Sequence, residues 1–406
     1  MSLLKTIPLL SLVGAAYAVP SKVQRSPDST IHARAVCTPS GGAMSSIDDT
    51  PAIMDSITEC GDGGTIVIPA NSTYYLNSVL DFAGCAGCDF QVEGTLKFSA
   101  DLDYWEGKTA MISVADIDGL KLRSLTGAGV IDGNGQAAWD RFADDDSYAR
   151  PTLLYITGGS NLEVTGLSQK NPPNVFVSIR DGTESALFDD LILDATSSSD
   201  NDPKNTDGFD VGDTTYVTIS NTKVVNNDDC VAFKPGANYV TVRDITCTGS
   251  HGLSVGSLGK GSDDIVQNVY VEGATMISSS KAAGIKTYPS GGDHGTSTVS
   301  NVTWTKVTVQ DCDYAIQIQS CYGEDDDYCE QNPGDAVLTG IVFDGFSGTT
   351  SDKEDPVTGN LNCGADGTCD VTVSNYEVTA SSGDGQVLCA NTPEDLGVEC
   401  TEGASG

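Results

Sequence analysis

The amino-acid sequence predicts an all-β solenoid, a chain wound into stacked coils of strand and turn, with one short helix over its N-terminal end. Two repeats predict it. Asp207, Asp229 and His251 follow one another at steps of 22 residues, so coils of about that length would stack all three on one face. Apolar residues at positions 1, 3 and 6 also return once per coil: Leu120, Leu122, Leu125; Leu162, Val164, Leu167; Ala186, Phe188, Leu191; Val240, Val242, Ile245; Val269, Val271, Ala274; Val302, Trp304, Val307; Ile341, Phe343, Phe346; and Val371, Val373, Tyr376. The coil Val217, Ile219, Thr222 is weaker. Steps between starting residues range from 23 to 42, which describes a constant inward strand joined by loops of variable length, and long loops mark the functional face of such folds. Alternation at positions 1 and 3, filled by Val, Ile and Phe, argues strand over helix.

Residues 1–18 predict a secretory signal peptide, with Lys5, an apolar run from Ile7 to Ala16 and the small-residue site Ala16-Tyr17-Ala18. The run is about half of the ~20 residues that span a bilayer, which argues against a membrane anchor. Residues 19–34, with Pro20, Lys22, Arg25 and Arg34 and no apolar period, read as a propeptide or flexible arm. Residues 35–406 read as one catalytic domain, since a solenoid lengthens without needing a second core. Thr50 and Pro51 predict a helix start, Thr50 as its cap, with Ile53, Met54, Ile57 and Cys60 along one side. That helix would cover the open edge of the first coil. The glycine-rich run 127–135 reads as a bend, because no helix opening with Lys-Ser or Lys-Thr follows it as in a phosphate loop. Little room remains for further helix.

Acidic residues outnumber basic ones by 57 to 21, a net charge of −36, and without residues 1–34 the balance falls to about −39. Such a surface repels nucleic acid and anionic membranes, so neither is expected as a partner. All 13 cysteines lie beyond residue 34, fit an oxidising exterior and leave one odd. Close spacing suggests Cys37 with Cys60, Cys85 with Cys88, Cys230 with Cys247, Cys321 with Cys329, Cys363 with Cys369 and Cys389 with Cys400, leaving Cys312 unpaired. Asn71-Ser72-Thr73 and Asn301-Val302-Thr303 are glycosylation sequons, consistent with a secreted, extracellular protein. The run Glu324–Asp327 reads as a solvated loop rather than a cation site, and His294 as a surface residue. A monomer is expected.

A single Asp at a solenoid turn is ordinarily structural, its side chain bonded to backbone N–H groups. Clustering changes that reading. On rungs ~4.8 Å apart, Asp207 and Asp229 would stand side by side with Asp228 next to them. Three carboxylates so close cannot all ionise, so one should keep a proton above its usual range. An acid and a base in one cleft are the equipment for cleaving a glycosidic bond.

Asn205-Thr206-Asp207, Asp228-Asp229, Ser250-His251-Gly252 and Ile285-Lys286 resemble the four motifs of the polygalacturonases, glycoside hydrolase family 28, and the likeness includes the bend Ile131–Gly135 and Trp139-Asp140. Within that family the segments Ala283–Ser290 and Gln319–Gly323 look most like the fungal endo-xylogalacturonan hydrolases. The resemblance implies a right-handed parallel β-helix that hydrolyses pectic backbones with inversion and without metal or cofactor. It implies Asp228 as general acid, Asp207 and Asp229 as the pair that holds and deprotonates water, and His251 as the group that orients or shares a proton with the acid. It further places Lys286, Asn205 and Tyr322 on the substrate, Lys286 as a point charge for a carboxylate.

Two positions depart from the family pattern. Ser250 replaces a glycine before the motif histidine, and Gly284 stands where a polygalacturonase has an arginine. Loss of that guanidinium removes a carboxylate clamp and predicts open space for a xylose branch, hence xylogalacturonan as the partner. An exo-acting polygalacturonase is the alternative. A lyase would need a basic catalytic residue, and a non-catalytic solenoid would not need the acidic trio beside His251.

Overall fold

The computed structural model describes residues 34–406 except 43 and 293; the leader and most of the arm expected over 1–34 lie outside the described residues. The chain winds into parallel coils whose strands form a twelve-stranded sheet and a larger nineteen-stranded one. Every strand-to-strand ladder is parallel, coil on coil, and such crossovers wind right-handed. The fold is therefore the expected right-handed parallel β-helix.

The apolar period becomes one in-register row. Leu162, Ala186, Val217, Val240, Val269, Val302, Ile341 and Val371 each pair with the next across adjacent strands. The row at position 3 is buried throughout, with Trp304 stacked on Phe343 at 4.8 Å between ring centroids. Even Thr222, the weak position, is buried. Leu125 is the exception: at 60% exposure it faces solvent. Its N–H donates to the Glu93 carboxylate at 2.6 Å, so the bend is held by that carboxylate rather than by an inward leucine.

The N-terminal helix spans Thr50–Cys60 and is tied to Cys37 through Cys60. Its cap is Asp49, not Thr50, and Asp49 spends its carboxylate on the N–H groups of Gly42 and Tyr75 instead of the helix end. Thr50, Ile53, Ser56, Ile57 and Cys60 are buried, whereas Met54 turns outward. Three short helices beyond it were not anticipated: Leu102–Trp105, Gln136–Asp144 and Asp326–Gln331. Gln136–Asp144 follows the glycine-rich bend directly, anchored by buried Trp139, whose indole N–H donates to the Pro172 carbonyl at 2.9 Å. In Asp326–Gln331 the acidic run is partly helical, with Asp325 capping the Tyr328 N–H at 2.8 Å. All six expected disulfides form, and Cys312 is free and buried.

Candidate active site

One face of the twelve-stranded sheet carries the acidic cluster. Asp207 precedes the strand Phe209–Val211, Asp229 opens Asp229–Phe233, and His251 precedes Gly252–Leu258; these three strands pair in that order, so each 22-residue step is one rung. Phe209, Val231, Phe233, Leu253 and Val255 fill the interior, so alternation turns Asp210 and Ser254 the other way; Asp207, Asp229 and His251 lie at or ahead of the strand starts, where the register shifts between Asp229 and Val231. Asn226 fixes the turn, its amide donating to the carbonyls of Thr206 and Asp229 at 2.8 and 3.0 Å.

Asp207, Asp228 and Asp229 each offer an oxygen within 4.8 Å of the other two. That is closer than the ~6.5–9.5 Å expected between the carboxyls of an inverting pair. The spacing of Asp207 from Asp229 follows the ~4.8 Å rise between rungs, and Asp228 adjoins Asp229 on the same rung.

The three carboxyls occupy different electrostatic environments. Burial pushes Asp207 well above the usual carboxylate range, reinforced by Asp210 and Asp228 and opposed by Lys234, whose ammonium lies 3.7 Å away. Burial acts to raise Asp229 as well, but Lys286, Lys281 and Lys234 outweigh it and hold that carboxyl down to about 2. Asp228 is half-buried; desolvation raises it, yet the hydrogen bond with His251, whose Nδ1 is 3.3 Å from its Oδ1, leaves it below the ordinary value. Its other oxygen accepts from the Asn205 amide at 3.3 Å.

Lys286, expected on a substrate carboxylate, is also committed within the protein. Its ammonium donates to Asp229 Oδ2 at 2.7 Å, and Ser254 Oγ donates to Oδ1 of the same carboxylate at 2.7 Å. Tyr322 stands beside it, its ring 5.4 Å from the Lys286 nitrogen and edge-on to Tyr288. His294, expected on the surface, is tucked against Tyr288 with its ring centroid 4.7 Å away and its Nε2 3.1 Å from Glu324.

The position of Gly284 is not open space. A Cβ there would collide with the Gln317 carbonyl oxygen and lie 3.1 Å from Cδ of Lys281, while Cγ of Lys281 lies 2.9 Å from where Gly252 would carry one. Lys281 therefore runs over two glycines into the cleft, and it was missed in the sequence although a lysine opening the small-residue run Lys281-Ala282-Ala283-Gly284 was visible there. Its side chain is nearly buried, and no protein acceptor lies within hydrogen-bond distance of its ammonium among the described residues. Desolvation, with Lys286 adding repulsion, lowers it to about 8. Arg150 was missed too: it donates to Asn205 Oδ1 at 2.7 Å and, with Asp207, Asp210 and Lys234, lines a 530 Å³ groove.

Three clustered carboxylates could in principle ligate a cation. Here Lys286, Lys281 and Lys234 already supply the countercharge around Asp229, which favours a proton-transfer site over a metal centre.

The chain is similar to known proteins over nearly its whole length. A probable endo-xylogalacturonan hydrolase A of Aspergillus flavus is 70% identical over 403 residues, covering 99% of each chain. Endo-xylogalacturonan hydrolase A of Aspergillus tubingensis is 69% identical over 406 residues, covering 100% of each. The crystal structure of endo-xylogalacturonan hydrolase from Aspergillus tubingensis superposes with a TM-score of 0.91 at 70% identity, covering 92% of this chain and 100% of that one. With the profile of the glycosyl hydrolases family 28 matching residues 60–401, across all the rungs that build the acidic cleft, the chain belongs to glycosyl hydrolase family 28.

Proposed function

We propose that this chain is a secreted, monomeric, endo-acting hydrolase of the α-1,4-galacturonosyl backbone of xylose-substituted galacturonan. The observation that carries the chemistry is the division among three neighbouring carboxyls: Asp207 is pushed up, Asp229 is held near 2, and Asp228 is open to the cleft beside His251. In the free enzyme the shared proton rests on Asp207. A sugar chain covering Asp228 strips its remaining solvent and raises it, so the proton passes across and leaves Asp207 ionised. Asp228 then protonates the glycosidic oxygen as its bond to C1 breaks, while Asp207 and Asp229 take a proton from the water that bonds to C1 from the opposite face. His251 and Asn205 hold the two oxygens of Asp228 in place.

Support for the substrate comes from the relatives and from Lys281. The cation lost at Gly284 is replaced by one arriving three residues earlier, whose ammonium has no protein acceptor among the described residues and is free to take a galacturonate carboxylate. The test compares kcat/KM on matched galacturonans with and without xylose, with the anomer of the first-formed product read by NMR. Faster cleavage of the unbranched chain, or a retained anomer, would overturn the reading. Release of single residues from chain ends would instead identify an exo-acting enzyme.

A further inference from the structure

A groove lined by tyrosines lies on the nineteen-stranded sheet, away from the acidic cluster. One corner of the coil carries a ladder of left-handed residues: Asn161, Ser185, Tyr216, Tyr239, Asn268 and Asn301, with φ between 53° and 63°. Asparagine suits this conformation because its short side chain bonds locally; a bulky aromatic does not. Yet Tyr216 and Tyr239 hold it on adjacent rungs, 60% and 48% exposed, their rings stacked at 5.0 Å and 16°. Exposed aromatics in strained backbone point to a use for the rings. Together with Tyr270, Thr218, Thr241 and Asn268 they line a 380 Å³ groove. That groove ends at Asn301 and Thr303, the first and last residues of the sequon Asn301-Val302-Thr303.

We infer that a glycan carried on Asn301 lies along this groove and covers the tyrosine face. Asn301 is exposed, one rung from Asn268, two from Tyr239 and three from Tyr216. At ~4.8 Å per rung the run is ~14 Å, which accommodates the first sugars of an attached chain one per rung. Pyranose rings present C–H faces to aromatic rings and hydroxyls to threonine and asparagine, so both kinds of lining group are used. Attachment joins sugar C1 to Nδ2 of Asn301 and breaks its bond to the phosphate oxygen of a glycosyl diphosphate donor. The diphosphate leaves with the electron pair, and one amide proton is lost. The remaining N–H still serves the bond that Asn301 makes to Asn268 Oδ1 at 2.7 Å. Tethering at the groove's end makes binding intramolecular, which favours this occupant over a free polysaccharide.

Asn71, the other sequon, is exposed and supplies an internal control. The full chain, expressed by secretion in a host that adds N-glycans, is treated with peptide N-glycosidase in its native state, and release is followed at each site by mass spectrometry. Release at Asn301 is expected to be roughly tenfold or more slower than at Asn71, the difference vanishing on unfolding. In Tyr216→Gly/Tyr239→Gly, where glycine accepts the left-handed backbone, Asn301 should be released as fast as Asn71. Equal native rates in the parent, or persistence of the difference without the tyrosines, overturns the inference. So does an unmodified Asn301 in a chain glycosylated at Asn71, and a tyrosine face that then takes up soluble oligosaccharide would assign the groove to an external sugar.

Discussion

The ammonium of Lys286 lies 2.7 Å from a carboxylate oxygen of Asp229, and both side chains are almost wholly buried. Sequence separation between them is 57 residues, yet the coil brings them within hydrogen-bond reach, two rungs apart. The pair keeps Asp229 ionised inside the cleft: removing Asp229 strands the Lys286 ammonium, and removing Lys286 takes away the largest of the charges that hold Asp229 down.

Lys286→Met should therefore cost about 3–5 kcal/mol, the scale for breaking a buried ion pair from one side. The sign of the pH dependence follows from Asp229, whose folded value near 2 lies below the unfolded ~3.9. Its contribution to stability is complete above the unfolded value and is lost as pH falls through about 2. Without Lys286 that loss should move to higher pH, and the double variant Lys286→Met/Asp229→Asn should recover stability. Thermal midpoints measured from acid to neutral pH check this; a curve for Lys286→Met that overlays the parent would show that the pair does not hold Asp229 down.

Asp228→Asn and Asp229→Asn should differ in stability while agreeing in activity. Each is expected to lower turnover by ~10²–10⁴-fold, the range for a general acid or base. Asp228 faces the cleft and its loss should leave the melting temperature nearly unchanged. Asp229 is buried against Lys286 and Ser254, so its replacement strands an ammonium and should lower the midpoint by several degrees for about 1–3 kcal/mol. Near-parent turnover in either folded variant would remove it from the mechanism.

What the sequence revealed depended on whether the signal repeated along the chain. The apolar row from Leu162 to Val371 was legible because each coil must fill the same interior position, and Asp207, Asp229 and His251 because their loops happen to keep a rung's length. Leu125 misled because its bend is held by Glu93. Lys286 was found, but its commitment to Asp229 was hidden, since a side chain reaching across rungs leaves no local pattern. Gly284 was read as a gap for the same reason: nothing near it in sequence says that Lys281 folds back over it.

Asp207 should behave in the opposite sense to Asp229. Its folded value is raised by burial and by Asp210 and Asp228, so the folded state holds its proton where the unfolded chain has lost it. That contribution is complete below the unfolded ~3.9 and declines as pH rises through the higher folded value. Asp207→Asn should thus abolish most activity yet raise the melting temperature at neutral pH, with little gain in acid. The parent's kcat/KM should follow a bell on the acid side of neutrality, one carboxyl ionised and one protonated. A neutral-pH midpoint unchanged or lowered in Asp207→Asn would contradict the buried proton.

Specificity should respond to Lys281 and Gly284 as a pair. Gly284→Arg alone places a Cβ against the Gln317 carbonyl and Lys281 Cδ, so it should destabilise by about 1–3 kcal/mol through overpacking without cleanly transferring preference to the unbranched chain. Lys281→Met keeps the packed stem and removes the charge. If Lys281 takes a galacturonate carboxylate, this variant should lose roughly 10–150-fold in kcat/KM on acidic substrate, equivalent to ~1.5–3 kcal/mol for a charged hydrogen bond. The loss should fall mainly on KM, and it should nearly disappear on the methyl-esterified chain, whose carboxyls carry no charge. The combined Lys281→Ala/Gly284→Arg relieves the contact with Cδ, and its guanidinium should restore binding of bare galacturonan while crowding a xylose branch. An equal loss on acidic and esterified substrates in Lys281→Met would mean that Lys281 acts only through Asp229 and does not touch the substrate.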